Sequence, residues 1–325
     1  MTWKHLSFKT NEKPVVELDA LDKGLEQVHL FDDDSIAAVN AAIAARRPLL
    51  VRGEPGTGKT QLARAAAKKL GWAFIPATVD ARTEASELFY TVDAVTRLGK
   101  AQAVAALGVK TASEVEGLLN EKNYVIPGEL WWAFNWQSAQ EQADLAKSET
   151  MALPDKGDPD EGRVLLIDEI DKADADLPNS LLEAFGAWQF RPKGFEGSVL
   201  REEKPILVII TTNEERALPD AFVRRCLVLH LAFEENNLVD FFVKRGKVHF
   251  PKMTLPILKY AAEQVEKDRK RWRSEHPGVP APGLAEYLDL LRAVHDLSDG
   301  KAEKQKGLLD DIKHFALDKH PKGPA

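Results

Sequence analysis

The residues with the clearest chemical pattern form a glycine-rich segment near the N-terminal end of the chain. The segment reads Gly53, Glu54, Pro55, Gly56, Thr57, Gly58, Lys59 and Thr60. Glycines let the backbone curl around an anion without Cβ clashes, so that successive N–H groups point inward. The lysine of such a loop reaches the β- and γ-phosphates of a nucleotide, and the hydroxyl after it suits Mg²⁺. The segment therefore predicts a phosphate-binding loop.

The sequence on both sides of this loop has the pattern that phosphate binding requires. An apolar run at 48–51 precedes it, and an alanine-rich helical pattern follows from Gln61. The first turn of that helix directs the positive end of its dipole at the same anion, so we expect Gln61 to belong to the site. The alternative is a glycine-rich turn that matches the motif by coincidence.

A pair of acids follows another apolar run at 164–167. Asp168 suits a role in holding Mg²⁺, directly or through water, and Glu169 suits a role in orienting and deprotonating an attacking water. Ligands of open α/β sheets bind at the carboxyl ends of the strands, so both acids are expected beside the glycine-rich loop. The alternative is a solvated pair of acids at a strand end.

Three further polar residues extend this candidate site. Asn213 ends the next apolar run, where its amide would hold the attacking water, although asparagine is also a common turn residue. Arg224 and Arg225 end a short helical segment and would stabilise charge that develops on the γ-phosphate. This helix should face away from its own nucleotide, so the arginines would act on the ATP of a neighbouring subunit. A surface salt bridge is the alternative for either arginine.

Five apolar runs predict the strands that position these residues, at 48–52, 72–77, 163–167, 206–211 and 227–233. Several runs are apolar at every position, which is typical of parallel strands covered by helices on both faces. Helical patterns such as 61–70 and 176–188 separate them. The sequence therefore predicts an α/β fold with a doubly wound five-stranded parallel sheet in residues 1–233, followed by a smaller all-helical domain and tail in residues 234–325.

The connection between the second and third predicted strands, residues 78–162, is unusually long. Segments 84–88, 100–107 and 113–119 have helical patterns, and 153–162 is predicted to be a solvent loop. Three tryptophans at 131–136 begin an apolar helix. It is expected to be buried against the sheet or a neighbouring subunit, and the alternative is a platform for ligand stacking. Residues 190–197 are predicted to form a hairpin or a protruding loop.

Composition narrows the classes of function. The chain has 325 residues, 44% of them hydrophobic, and a net charge of −7, which argues against a general nucleic-acid coating protein. Its single cysteine, Cys226, excludes an intramolecular disulfide and fits a reducing compartment. Neither a signal peptide nor a membrane span is evident, so we expect a cytoplasmic protein.

In this order, the motifs resemble those of the AAA+ ATPases, and within them the MoxR family. The matching segments are 47–60 (Walker A), 124–133, 165–169 (Walker B), 179–185, 211–213 (sensor 1) and 218–225 (arginine-finger helix). The resemblance implies an α/β core with a helical lid, hydrolysis of ATP with Mg²⁺, and assembly into a ring, usually a hexamer. It further implies remodelling of a protein partner, with proteins carrying a von Willebrand factor A domain as candidates.

The resemblance also implies roles for two segments, and the sequence departs from the family pattern at two positions. Residues 78–162 would carry the helix-2 insert and 190–200 the pre-sensor-1 hairpin, both facing the pore or upper surface of the ring. The lid helix that starts after Gly283 lacks the usual sensor-2 arginine near its beginning, and Arg292 lies about two turns in. The sequence Arg224-Arg225-Cys226 replaces the usual arginine followed by phenylalanine, so either arginine is a candidate for the finger.

Two other functions remain open from the sequence. A nucleic-acid motor, such as a McrB-like restriction subunit, shares the insert-bearing branch, but the acidic balance disfavours it. A nucleotide-gated assembly scaffold would need no hydrolysis, and the intact acid pair at 168–169 disfavours that reading.

Overall fold

The structure is a computed structural model, and it describes residues 4–9, 12–20, 27–107, 111–174, 176–233, 235–299 and 301–317. The tail predicted at the end of the chain lies outside these residues from position 318 onward. The strands in chain order are β1 (Val15–Leu18), β2 (Gln27–Leu30), β3 (Leu49–Arg52), β4 (Trp72–Thr78), β5 (Tyr90–Val92), β6 (Val125–Pro127), β7 (Asp158–Asp168), β8 (Gln189–Phe190), β9 (Val199–Leu200), β10 (Ile206–Thr212) and β11 (Leu227–His230).

Helices make up most of the remaining regular structure. They are α1 (Asp33–Ala45), α2 (Lys59–Leu70), α3 (Ala94–Leu107), α4 (Ala112–Leu118), α5 (Glu129–Phe134), α6 (Trp136–Ala146), α7 (Asp176–Ala187), α8 (Asp220–Val223), α9 (Leu238–His249), α10 (Leu255–Glu275), α11 (Leu284–Leu297) and α12 (Ala302–Leu317). Within the described ranges, none of these helices has both the length and the apolar character needed to cross a membrane.

Five strands form one parallel sheet in the order β11-β3-β10-β7-β4. Neighbours in the sheet are not consecutive in the chain, so the connections cross over, and helices such as α2 and α7 lie in them. This arrangement confirms the predicted α/β fold with a five-stranded parallel sheet, and the predicted helical C-terminal region is present as α9 to α12.

Strand β10 illustrates why the centre of the sheet is apolar. All of its residues are buried, and it pairs with β7 so that Ile206 lies opposite Arg163 and Ile210 opposite Ile167. A strand covered on both faces offers no solvated position for a polar side chain. Polar residues therefore cluster where the strand ends, at Thr211, Thr212 and Asn213.

The prediction of a solvent loop at 153–162 is wrong over its second half, because β7 already begins at Asp158. The backbone N–H of Asp158 donates to the carbonyl of Gly71 at 3.1 Å, and Asp158 pairs with Trp72 of β4. A register shift between Trp72 and Ala73 separates this extension from the apolar part of the strand. Its acidic residues are exposed, which explains their resemblance to a loop.

Two helix predictions in the long connection also need correction. Residues 84–88 form turns rather than a helix, with bonds such as that from the N–H of Glu87 to the carbonyl of Glu84. The apolar helix predicted from residue 131 is interrupted at Asn135, whose φ is −149°. The Asn135 side chain accepts a hydrogen bond from the N–H of Ser138 and so caps α6.

The tryptophans of the long connection are part of the protein core. Trp131 and Trp132 are buried on α5, which packs against β4 and β7. Trp131 makes edge contacts with Phe190 and Phe195 from the β8–β9 hairpin, each with ring centroids 5.7 Å apart. The buried helix is therefore observed rather than the stacking platform, and the hairpin predicted around 190–197 is also present.

Contacts within the chain divide it into two compact units. The first comprises residues 1–7, 33–51 and 63–229, and its core is built on the five-stranded sheet. The second comprises residues 8–32, 52–62 and 230–325; it contains the antiparallel β1–β2 ribbon, the glycine-rich segment and helices α9 to α12. Phe242 stacks on Tyr287 in the core of this second unit, with ring centroids 5.2 Å apart.

A buried ion pair anchors helix α2 in the first unit. The Arg64 guanidinium donates to both carboxylate oxygens of Asp155 at 2.8 Å, and both side chains are buried. Arg64→Met should lower the free energy of unfolding by about 3–5 kcal/mol, because it leaves a buried carboxylate without its partner. Denaturant unfolding measures this change.

The exposed pair of Lys4 and Glu161 is the matched control for that experiment. Lys4→Met should change the unfolding free energy by less than about 1 kcal/mol, because water screens an exposed pair. Equal effects of Arg64→Met and Lys4→Met would contradict the anchoring role of Arg64.

Candidate functional site

The glycine-rich segment joins the end of β3 to the start of α2. Gly56 and Gly58 have φ values of +77° and +92°, a backbone region that disfavours side chains with a Cβ. Helix α2 begins at Lys59, so its unpaired N–H groups open toward this loop. The segment thus has the curled backbone and the helix start that an anion site requires.

Lys59 and Thr57 hold the loop in its curled form. The Lys59 ammonium is largely buried and donates to the carbonyls of Gly53 and Glu54 at 2.7 and 3.0 Å. The Thr57 hydroxyl donates to the Glu54 carbonyl at 2.9 Å. Gln61, on the first turn of α2, donates from its side-chain amide to Gln27 at 3.3 Å. The loop therefore holds the Lys59 ammonium group among its own backbone carbonyl groups.

The Glu54 side chain makes contacts that the sequence analysis did not predict. Both of its oxygens accept hydrogen bonds from Arg269 of α10, at 3.0 and 2.8 Å, and Arg273 donates to it at 2.8 Å. More than two hundred residues separate Glu54 from these arginines in the chain. A basic stretch on a helix looks like a solvated face in sequence, so no local signal marks this contact.

The start of α11 packs directly on the glycine-rich loop. A Cβ placed on Gly56 would lie 2.8 Å from the Cβ of Ala285, which is closer than such atoms approach. Ala285 occupies the second position of α11, where the resemblance leads one to look for a sensor-2 arginine. A small residue here allows the helix to reach the loop backbone.

The acids at the end of β7 are held by the neighbouring strand β10. The Thr211 hydroxyl donates to Asp168 Oδ1, and the same hydroxyl accepts from the backbone N–H of Glu169 at 2.9 Å. Thr211 is fully buried, so its side chain has a fixed environment. Both acids are thereby tied to one hydroxyl of the adjacent strand.

Glu169 lies between an amide and an ammonium group. Asn213 donates from its side-chain amide to Glu169 Oε1 at 3.2 Å, and Lys172 pairs with Oε2 at 2.5 Å. The hydrogen bond to Glu169 raises the pKa of the Lys172 ammonium, with the nearby negative charges adding to this effect. The φ of Glu169 is +60°, an uncommon value for a residue with a side chain.

A buried aspartate that the sequence analysis missed joins the two strand ends. Asp171 accepts from the backbone N–H groups of Asn213 and Glu215 at 3.3 and 2.9 Å. It is almost fully buried, so it fixes the backbone at the point where Asn213 leaves β10. The structure therefore brings Asp168, Glu169 and Asn213 into one hydrogen-bonded group.

The two arginines before β11 differ in their surroundings. Arg225 donates from its guanidinium to the carbonyl of Leu182 on α7 at 3.1 Å. The Arg224 side chain is exposed and makes no hydrogen bond or ion pair with the residues that the structure describes. Arg47 donates to the backbone carbonyls of both arginines and so fixes this segment.

The donor sets of the site match those of a magnesium nucleotide. Mg²⁺ is usually held by one or two protein oxygens together with phosphates and water, rather than by a cage of protein ligands. The described part of the chain contains no cluster of three or more acids, histidines or cysteines that could hold a metal by itself. The Lys59 ammonium and the start of α2 have the chemistry that phosphates require, and the Asp168 carboxylate has the chemistry that a divalent cation requires.

A family model confirms the class of protein that this fold and these motifs define. The model for the AAA domain of the dynein-related subfamily matches residues 48–226, which is more than half of the chain. The protein therefore belongs to this AAA domain family. No curated protein sequence matches the chain.

Comparison with solved structures finds the RuvB protein of Thermotoga maritima in several forms. A RuvB point mutant has a TM-score of 0.46 and 14% identity, over 87% of this chain and 70% of that chain. The RuvB Holliday junction branch migration motor from the same organism has a TM-score of 0.43 and 14% identity, over 86% and 67%.

The close approach of α11 to Gly56 gives a test of the loop geometry. Gly56→Ala should destabilise the protein more than Gly71→Ala, measured as the shift in the midpoint of denaturant unfolding. Both glycines have nearly the same φ, +77° and +75°, so the backbone cost of a Cβ, about 1–2 kcal/mol, is shared. Open space surrounds a Cβ at Gly71, whereas one at Gly56 meets Ala285.

A second substitution tests whether the loss of stability in Gly56→Ala comes from the contact with Ala285. Ala285→Gly should recover part of the stability that Gly56→Ala removes, because it deletes the Ala285 Cβ that the added methyl group would contact. Equal destabilisation at the two glycines, with no recovery, would show that α11 does not contact the loop as described.

Proposed function

We propose that this protein binds ATP with Mg²⁺ and hydrolyses it. The observation that carries the proposal is the group formed by Asp168, Glu169 and Asn213 at the carboxyl ends of β7 and β10. The glycine-rich loop follows β3, which neighbours β10 in the same parallel sheet. Parallel strands present their carboxyl ends at one edge, which is where ligands of open α/β sheets bind.

Each group at this edge has a role that its chemistry supports. The loop backbone and the start of α2 would hold the phosphates, and Lys59 would exchange its carbonyl partners for phosphate oxygens. Thr60 and Asp168 would hold the cation, which neutralises charge on the phosphates when bound.

The hydrolytic step would depend on the Glu169 carboxylate. Glu169 would accept a proton from the attacking water, and Asn213 would orient both the carboxylate and the water. The ion pair with Lys172 holds one oxygen of the Glu169 carboxylate, so the carboxylate would leave this partner when it engages water.

Among the two arginines, Arg224 is the better candidate for a residue that acts on a neighbouring subunit. Its side chain is exposed, whereas Arg225 is already engaged with a carbonyl of its own chain. A guanidinium without internal partners can stabilise charge on a γ-phosphate supplied by another subunit. This role requires a ring or a comparable oligomer, and oligomeric rings are common among AAA+ proteins.

The output we propose is MoxR-type remodelling of a protein partner in the cytoplasm. A cleft of about 870 Å³ in the first unit is lined by residues 81–86, by α7 and by Phe190 and Arg191. The resemblance assigns the first and last of these segments to the pore or upper surface of the ring. A hexameric ring and a partner with a von Willebrand factor A domain belong to this proposal.

The role of Glu169 has a direct test. Glu169→Gln should retain ATP binding but lower turnover by about a hundredfold or more, since a positioned base contributes factors of about 10²–10⁴. Binding is measured by calorimetry and turnover by phosphate release. Glu149→Gln is the control, because Glu149 is exposed and lies outside the site. Turnover near the wild-type rate in Glu169→Gln would refute the assignment.

Mixing experiments test the role of Arg224. Arg224→Ala and Glu169→Gln proteins should each be inactive alone, and a mixture should regain activity because some interfaces then combine an intact arginine with an intact base. Arg225→Ala mixed with Glu169→Gln should show no comparable gain, since we place Arg225 in its own chain. Recovery with Arg225→Ala instead would reverse the assignment.

The effect of DNA on ATP turnover distinguishes a protein client from the alternative of a nucleic-acid motor. Stimulation of turnover by DNA, with a steep loss at higher salt, would identify nucleic acid rather than protein as the partner. Phosphate release that is unaffected by DNA agrees with a protein client.

A further inference from the structure

Glu54 places a negative charge inside the loop for which phosphate binding is proposed. A carboxylate near bound phosphates opposes their binding through like-charge repulsion, which is substantial in the partly desolvated surroundings of a protein surface. The glycines, the lysine and the helix start of the same loop all favour anions. The charge of Glu54 therefore has to be compensated if the loop is to accept a nucleotide.

Two arginines of α10 and a second glutamate form a compact cluster with Glu54. Arg269 contacts both Glu54 oxygens and also donates to Glu235 Oε1 at 2.8 Å. Arg273 pairs with Glu54 at 2.8 Å and with Glu235 at 3.0 Å. Two guanidinium groups thus meet two carboxylates, and the cluster has no net formal charge.

The two arginines are held to very different degrees. The Arg269 side chain is 1% exposed; it also donates to the carbonyls of Ala281 and Pro282 at 3.1 Å, and its guanidinium lies 4.7 Å from the centre of the Phe233 ring. Burial alone would lower the pKa of Arg269, but the hydrogen bonds to Glu235 and Glu54 outweigh it, and the pKa is raised. Arg273 is 44% exposed, and its guanidinium pairs with the carboxylates of Glu54 and Glu235.

We propose that Arg269 and Arg273 are positioning residues for nucleotide binding, which act by neutralising and holding the Glu54 carboxylate beside the phosphate loop. Arg269 fixes the place of the carboxylate, and Arg273 supplies the second positive charge. The inference rests on the proposed function, because it concerns the affinity of the same loop for nucleotide phosphates. It adds that the charge balance of the loop is completed from α10, near the other end of the chain.

The test compares charge removal on each side of the pair, with ADP as the probe and calorimetry as the readout. Arg273→Gln should weaken ADP binding about tenfold, because the Glu54 charge is then only partly compensated. Glu54→Gln should tighten ADP binding, since it removes the repulsive charge while the arginines remain. The double variant should return to within about threefold of the wild type.

Arg271→Gln is the matched control for these variants. It removes the same charge from the same helix, but Arg271 pairs with Asp268 rather than with Glu54. Its ADP affinity should stay within about threefold of the wild type, because the charge that it removes is not at the loop. The melting temperature of each variant without ADP reports separately on folding.

The directions in which the variants change ADP affinity distinguish a positioning role from a purely structural one. If the cluster only stabilises the fold, Glu54→Gln and Arg273→Gln should both weaken ADP binding, and that result would overturn the proposal. Salt gives a second criterion: raising the ionic strength from about 0.1 to 1 M shortens the Debye length from about 10 to 3 Å, so the Arg273→Gln deficit should shrink. A deficit that is independent of salt would also overturn it.

Failure of this inference is distinguishable from failure of the proposed function. A wild-type protein that binds neither ADP nor ATP contradicts the proposed function, and the inference falls with it. A wild-type protein that binds ADP, with variants that do not follow the predicted signs, contradicts the inference alone.

Discussion

The burial of the parallel sheet on both faces is the constraint that governs where this protein can carry out chemistry. Strand β10 is buried along its whole length, and the apolar part of β7 is buried beside it. Polar side chains that bind a ligand are therefore expected where these strands end. The carboxyl ends of parallel strands lie together, so Asp168, Glu169, Thr211 and Asn213 form one hydrogen-bonded group as a consequence of the sheet.

Sequence patterns predicted the parts of the structure that rest on local or periodic signals. The buried strands are continuous apolar runs, and the glycine-rich segment is a contiguous motif whose positive φ values follow from its glycines. The predictions failed where a neighbouring element decides the conformation. Asp158 belongs to β7 because Gly71 and Trp72 offer it a partner, and Asn135 interrupts a helix because its side chain caps the next one.

The charged cluster around Glu54 is the feature of the structure that the sequence predicts least. Arg269, Arg273, Glu54 and Glu235 come from three distant segments, and nothing local distinguishes them from surface charges. The buried guanidinium of Arg269 satisfies its donors through two carboxylates and two carbonyls, which makes its burial tolerable. In the same unit, Ala285 of α11 packs against Gly56, so the phosphate loop has both charged and steric contacts with the C-terminal helices.

We propose that the protein uses this site to hydrolyse ATP with a bound cation. The most direct measurement is phosphate release from ATP by the purified protein, in Mg²⁺ and in excess chelator. Release should require Mg²⁺ and stop when the chelator is added, because the cation would neutralise the phosphates and be held by the site. Absence of release under every condition, or equal release with and without the cation, would contradict it.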